Sequence, residues 1–191
     1  GDDLTQMLNG STGDVGLADF VAGTEGGRVA TEVAPRALTL DDVDRLDGAS
    51  FEVLCALLLS KRGFITEITT KTGGDGGIDV IAQQDDAGLL VQCKSSSQPA
   101  LGWDAIKEVT AGAARYLAKL PGTKFQRVAI TNRHFNATAR EQALLNHVTL
   151  YERDWIAEQL GLTPVVDVEL EELLVEPVTR LAVIHDSGEV L

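Results

Sequence analysis

The sequence predicts an α/β fold, a central mixed β-sheet flanked by helices, on three observations. Phe51, Leu54, Cys55, Leu58 and Leu59 recur at three-to-four spacing, which is the apolar stripe of a helix. Two apolar runs, Ile78 to Gln84 and Leu89 to Ser95, flank the turn-forming Asp85-Asp86-Ala87-Gly88 and read as an antiparallel hairpin. A second helical stretch then leads to another apolar run, and a strand–helix–strand connection favours right-handed parallel pairing of the strands it joins. One sheet with both kinds of pairing follows.

The elements can be justified in order. Residues 1 to about 40 hold many of the glycines, few aromatics and no sustained apolar period, so 1–45 is expected to be an arm or linker. Asp47 is a helix cap, and the helix that follows it ends before Gly63. Phe64 to Lys71 mixes Ile, Thr and Phe with partial alternation and predicts a strand ahead of the hairpin. Ile106, Val109, Ala113, Tyr116, Leu117 and Leu120 make Trp103 to Leu120 a helix, stopped by Pro121-Gly122. Phe125 to Thr131 is the next strand, Ala137 to Asn146 a helix and Val148 to Tyr151 a short strand. Asp154 to Leu160 is a last short helix ended by Gly161, where the core is expected to close. Beyond it, 162–191 is an acidic C-terminal extension whose alternating apolar residues (Val166, Val168, Leu170; then Leu181, Val183) suit edge strands or a docking segment.

At 191 residues with 44% hydrophobic content, the chain has room for one well-buried domain with extensions. No apolar run is long enough to span a bilayer, so no membrane partner is expected. Cys55 and Cys93 lie inside predicted elements rather than in a spaced framework, and no secretory signal is evident; both fit a reducing, cytoplasmic setting. The chain starts at Gly1 without a methionine, which points to a tag scar or a piece excised from something longer.

A net charge of −13 argues at first against a nucleic-acid partner. The charge distribution points the other way. Leu90 to Arg140 holds eight basic residues and two acidic ones, net +6, so the rest of the chain carries −19. Positive potential is concentrated just after the hairpin, where a phosphate backbone could use it. The acidic flanks could shield it or dock onto a protein partner or a second copy.

The chemistry concentrates between Gly73 and Lys94. Strand side chains alternate, so Gln92 and Lys94 share one face of their strand while Cys93 points to the other, away from a role as nucleophile. The hairpin folds Asp79 back beside them. Phosphodiester hydrolysis needs charge neutralisation at the phosphate, an activated water and a stabilised leaving oxygen, and a bound Mg²⁺ serves each need. Magnesium takes hard oxygen ligands: the Asp79 carboxylate, the Gln92 amide and the Cys93 backbone carbonyl qualify. Lys94 would hold the attacking water or offset charge on the phosphate. Glu52 is a fourth candidate, one residue off the apolar stripe of the first helix, where its side chain can reach the sheet. The glycine-rich turn is not a nucleotide-binding loop, since no Gly-Lys-Ser/Thr follows it and a strand comes next.

With these residues in place, the chain from roughly Leu46 to Leu160 resembles the Mrr-like catalytic domain of the PD-(D/E)xK restriction-endonuclease superfamily. Phe51-Glu52 resembles its first-helix pair, Gly74-Asp75-Gly76-Gly77-Ile78-Asp79 its glycine-rich turn and metal aspartate, and Gln92-Cys93-Lys94 its glutamine-x-lysine motif. Ala105-Ile106-Lys107-Glu108-Val109 with Gly112 resembles the following helix, and Ala129-Ile130-Thr131-Asn132 with Phe135 and Ala139 the next strand and turn. The resemblance implies a restriction-endonuclease-like core over 46–161 and an active site of Glu52, Asp79, Gln92 and Lys94. It also implies a divalent metal, Mg²⁺ with Mn²⁺ as an alternative, held by Glu52, Asp79, Gln92 and the Cys93 carbonyl. DNA is the implied substrate and the effector domain of a restriction or antiviral defence system the implied role. Alternatives with the same fold are a catalytically silent nucleic-acid-binding or assembly module, or a nuclease for RNA or branched DNA. Because glutamine is a neutral, weaker ligand than a carboxylate, Glu52 is expected to supply the missing charge.

Overall fold

Thr39 makes a capping box: its hydroxyl accepts from Asp42 N while the Asp42 carboxylate accepts from Thr39 N, starting the short helix α1 (Leu40–Val43). The structure is a computed structural model and describes residues 34–69, 76–119, 122–175 and 180–181. Expectations for residues 1–33, Lys71, Gly73 to Asp75, Leu120-Pro121 and Val183 lie outside that range. Asp47 caps α2 (Gly48–Lys61) as expected, its carboxylate accepting from Ser50 N at 2.7 Å.

Strands β1 (Ile65–Ile68), β2 (Val80–Gln84) and β3 (Ala87–Lys94) follow. Next come β4 (Ala100–Leu101), α3 (Asp104–Lys119), β5 (Lys124–Thr131), β6 (His134–Phe135) and α4 (Ala137–Leu145). The chain continues through β7 (Val148–Tyr151), α5 (Arg153–Leu162), α6 (Asp167–Val175) and β8 (Arg180–Leu181). The main sheet runs β7-β5-β3-β2-β1-β8. β1, β2 and β3 pair antiparallel in succession, as do β1 and β8, while β3, β5 and β7 pair parallel. The sheet is therefore mixed, as the crossover through α3 requires. The hairpin loop is tighter than the sequence pattern indicates: Asp85 and Asp86 alone span it, with Asp85 at φ 54°, a conformation Asp tolerates better than most residues.

Helices cover both sheet faces. On one, Phe51, Leu54 and Leu58 of α2 pack with Val80, Val91, Val128 and Ile130, joined by Ile156 of α5 and Leu170 of α6. On the other, Ile106 and Val109 of α3 and Ala139 and Ala143 of α4 meet Ile81, Leu90 and Ala129. β3 shows the alternation directly, sending Leu89, Val91 and Cys93 to the α2 face and Leu90 to the α3 face. Among the described residues no helix is long and apolar enough to cross a membrane.

Three local expectations change. The last predicted helix runs through Gly161 to Leu162, its C-terminal end closed by Thr163 N donating to Gln159 O rather than by the glycine. The core does not close there, since Val165 and Leu170 are buried with the α2 cluster. The alternation Val166, Val168, Leu170 does not make an edge strand: Val166 forms only an isolated antiparallel bridge with Ala37, and from Asp167 on the chain is helix, where Leu170 and Leu173 fall at helical spacing and pack on α2's side of the core and Glu169 pairs with Lys61 of α2 at 2.8 Å. An edge strand does form farther on, as β8 beside β1. The two-stranded β4–β6 sheet has no counterpart in the sequence pattern; two residues are too few to show a period.

Asp44, just past α1, ties three elements together. Its carboxylate accepts from Arg153 Nη1 at 2.7 Å, Asn132 Nδ2 at 3.1 Å and Arg133 Nη1 at 3.1 Å. Burial opposes its ionisation, but the Arg153 hydrogen bond and charge, with Asn132 and Arg133, outweigh burial and hold the carboxyl below its ordinary range. A carboxyl with a depressed folded-state pKa contributes stability above its unfolded pKa and loses it as pH falls through the folded value. Asp44→Asn should therefore cost on the order of 2 kcal/mol at neutral pH. The gap to wild type should narrow once pH drops below about 4, as measured by urea unfolding at a series of pH values.

Candidate active site

The site forms where β2 begins and β3 ends. Asp79 N donates to Val91 O at 2.8 Å, and past that point the Asp79 side chain takes over the pairing: Oδ2 accepts from Cys93 N at 2.7 Å and from Gln92 Nε2 at 2.6 Å. From the other side Thr69 N donates to Asp79 O at 2.9 Å, and the Thr69 hydroxyl donates to Ile78 O. A buried carboxylate is thus fixed between β1 and β3, with charge-assisted hydrogen bonds satisfying it.

The glycine motif explains how the chain reaches this point. Gly76 and Gly77 take φ 62° and 85°, left-handed backbone that favours glycine. A Cβ on Gly77 would sit 2.5 Å from the Glu108 carbonyl oxygen, and one on Gly112 would sit 2.2 Å from the Gly76 carbonyl oxygen. Glu108 and Gly112 are one helical turn apart, so the turn rests directly on the α3 backbone along that face. The three glycines permit this approach, and the approach sets where Ile78 and Asp79 enter the sheet.

A cleft of about 460 Å³ opens above these contacts, lined by Gly48, Glu52, Gly77, Asp79, Gln92, Cys93, Lys94, Ser95 and Glu108. All five residues singled out from the sequence, Glu52, Asp79, Gln92, Cys93 and Lys94, border it. Glu52 comes from the first turns of α2, Asp79 from the entry to β2 and the other three from the end of β3. Cys93 contributes backbone only. Its thiol belongs to the α2-face core, where burial first and the neighbouring Cys55 thiol next push its pKa up, so it stays protonated. Glu108 is an addition that the sequence pattern places only as part of a helix: Lys94 Nζ lies 3.4 and 3.3 Å from its two carboxylate oxygens. Its spacing of four from Gly112 was the available signal, because the glycine that touches the turn marks the helix face turned toward the site.

Among the described residues no cluster of three or more His, Cys, Asp or Glu side chains is close enough to hold a metal ion. A divalent ion held here would draw on the Gln92 amide and the Cys93 carbonyl. One observation shows that these groups fit it. Gln92 is buried, its Nε2 donates to Asp79 Oδ2 at 2.6 Å and reaches Cys93 O at 3.4 Å, and its Oε1 has no hydrogen-bond partner among the described residues. An orphaned buried amide oxygen costs about 1–3 kcal/mol. Turning the amide over would direct three oxygens at one another with no proton donor between them, an arrangement that a hard cation stabilises. An all-oxygen donor set of this kind suits Mg²⁺ or Mn²⁺ and not a thiolate-seeking metal.

The fold is a mixed α/β sheet flanked by helices, of the restriction-endonuclease-like class. The family model for the Mrr_cat restriction endonuclease domain matches residues 43–160, and the chain belongs to that family. Domains of this type generally use divalent metal ions. Among solved structures, the chain is similar to a crystal structure of a protein of unknown function, AF1548, at 21% identity and a TM-score of 0.48, over 70% of this chain and 80% of that one. It is also similar to the MspJI restriction endonuclease in complex with a 27-mer oligonucleotide, at 19% identity and a TM-score of 0.42, over 68% of this chain and 32% of that one. Comparison with curated proteins gave no match.

The contact between the glycine turn and α3 can be tested by adding one carbon. Gly112→Ala should cost about 1–3 kcal/mol by overpacking. Gly102→Ala, where a Cβ meets nothing within 4 Å, should leave the thermal midpoint unchanged.

Proposed function

We propose that residues 46–161 are a metal-dependent endodeoxyribonuclease domain that hydrolyses DNA phosphodiester bonds. The observation that carries this reading is the meeting of the Asp79 carboxylate, the Gln92 amide and the Cys93 carbonyl at one end of the hairpin, in a cleft bordered by Lys94 and Glu52. Glu52, Asp79, Gln92 and the Cys93 carbonyl are the proposed ligands for Mg²⁺, or for Mn²⁺ in its place. When bound, the metal supplies charge neutralisation at the attacked phosphate and a water acidic enough to act as nucleophile at neutral pH.

The protein's own residues do the rest. Asp79, anchored by Cys93 N, keeps its carboxylate at the hairpin end without relying on a flexible loop. Glu52 brings a second negative charge from α2, which offsets the neutrality of Gln92. The Lys94 ammonium acts as a point charge that orients the attacking water or balances charge gathering on the phosphate. Within the basic run from Lys94 to Arg140, Lys107, Arg133 and Arg140 are paired with Asp104, Asp44 and Glu152, so potential for the DNA backbone would come from the rest of the run. The family's restriction endonuclease character supports an effector role in a restriction or defence system. The acidic flanks are proposed to hold the domain to a partner protein or a second copy, so that DNA is cut when the assembly gathers on it.

Incubating the protein with supercoiled plasmid, linear duplex, branched DNA and RNA, each with Mg²⁺, Mn²⁺ or chelator, tests the reading. Metal-dependent nicking or linearisation of plasmid is expected. Binding without cutting in either metal would point to a silent binding module, and cutting confined to RNA or branched DNA would change the substrate. Lys94→Ala and Asp79→Asn should each lower cleavage by more than about 100-fold while circular dichroism shows a folded domain.

A further inference from the structure

We infer that Glu108 is a positioning residue for Lys94, a role that rests on the proposed nuclease reading. Three features lead there. Lys94 Nζ contacts both Glu108 oxygens, at 3.4 and 3.3 Å, a two-point contact across two different elements, β3 and α3. Both side chains border the same cleft as Glu52, Asp79 and Gln92. The Glu108 backbone is itself held, because its carbonyl and Cα lie against Gly77 with no room for a side chain between them. The carboxylate therefore projects from a fixed point on the element that also carries the turn leading to Asp79.

The contact does little for stability. The two side chains are 41% and 40% exposed, and ion pairs in that setting are weak because solvent screens them and ordering two long side chains opposes them. Its value lies in geometry. Lysine is a point charge on a flexible four-carbon stem, free to leave the cleft for water unless something holds it. Glu108 restricts that freedom and keeps the ammonium at the mouth of the site before a phosphate arrives, and misplacing a catalytic group by about 1 Å is enough to cost a large factor in rate. The structural function of position 108 runs through the backbone and the positioning function through the side chain. Side-chain substitution therefore separates the two.

The test uses Glu108→Ala and Glu108→Gln in the full chain, with two readouts. The first needs no activity: the rate at which an acetylating reagent labels Lys94, followed by peptide mass mapping. Glu108→Ala should label several-fold faster than wild type, and Glu108→Gln, whose amide oxygen still accepts from Nζ, should fall close to wild type. The second is plasmid cleavage. Glu108→Ala should lower kcat about 10-fold or more with KM and metal-free duplex binding unchanged or tighter, since a negative charge beside the substrate is gone. Glu108→Gln should recover most of the rate. Equal labelling of Lys94 in Glu108→Ala and wild type overturns the inference whether or not the protein cuts DNA. So do a wild-type kcat in Glu108→Ala, or an equally deep loss in Glu108→Gln. A wild type that fails to cut any nucleic acid in Mg²⁺ or Mn²⁺ ends the nuclease reading, and faster labelling would then mark an ion pair with no reaction to serve.

Discussion

The Asp79 carboxylate accepting the Cys93 N–H is the contact on which the rest of the structure turns. It is both the last rung of the β2–β3 ladder and the first feature of the cleft, so the sheet and the site are joined at one oxygen atom. Stabilising the fold and orienting a ligand ordinarily draw on different residues. Here the buried acid has its desolvation offset by two hydrogen bonds from β3, and those bonds point its remaining capacity toward the cleft. Around it, the glycine turn fixes the approach of the chain, Thr69 fixes the backbone and α3 provides the floor.

Much of this was readable from the sequence because it follows from short-range rules. The hairpin and the crossover through α3 each obey a single period, and the parallel pairing of β3 with β5 follows from chain connectivity, whereas α2 is a helix as expected but is buried all round from Leu54 to Ser60 rather than along one stripe. The opposite facing of Gln92 and Cys93 is plain strand alternation. Less was legible where a residue acts through partners remote in the chain. Asp44 gives no local sign that Asn132, Arg133 and Arg153 will gather on it, and the capping box of α1, Thr39 to Asp42, sits in a stretch whose composition reads as linker. From Val168 to Leu173 two periods coexist in the same letters, and burial of Leu170 against α2 selects the helical one, while Val166 just before the helix is bridged to Ala37.

The glutamine at position 92 shows the same limit within the site. Its presence beside Lys94 was legible, and so was its face of the strand. What the letters could not convey is that its amide hydrogen occupies the space between the Asp79 carboxylate and the Cys93 carbonyl, leaving its own oxygen without a partner among the described residues. A carboxylate in that position would have stood against Asp79 with no proton to share. The neutral amide lets the pocket remain satisfied on its acidic side when no cation is held there.

The two-residue loop Asp85-Asp86 lies at the far end of the hairpin from the cleft, yet it measures the site out. Pairing proceeds from Gln84 with Ala87 rung by rung to Val80 with Val91, and only that count leaves Asp79 facing Gln92 and Cys93. A register slip of one residue would exchange the amide for the thiol and drive the ammonium toward the hydrophobic interior. Loop length thus sets the composition of the cleft from the opposite end of the strands, so an added residue there would be felt far from its solvent-exposed position.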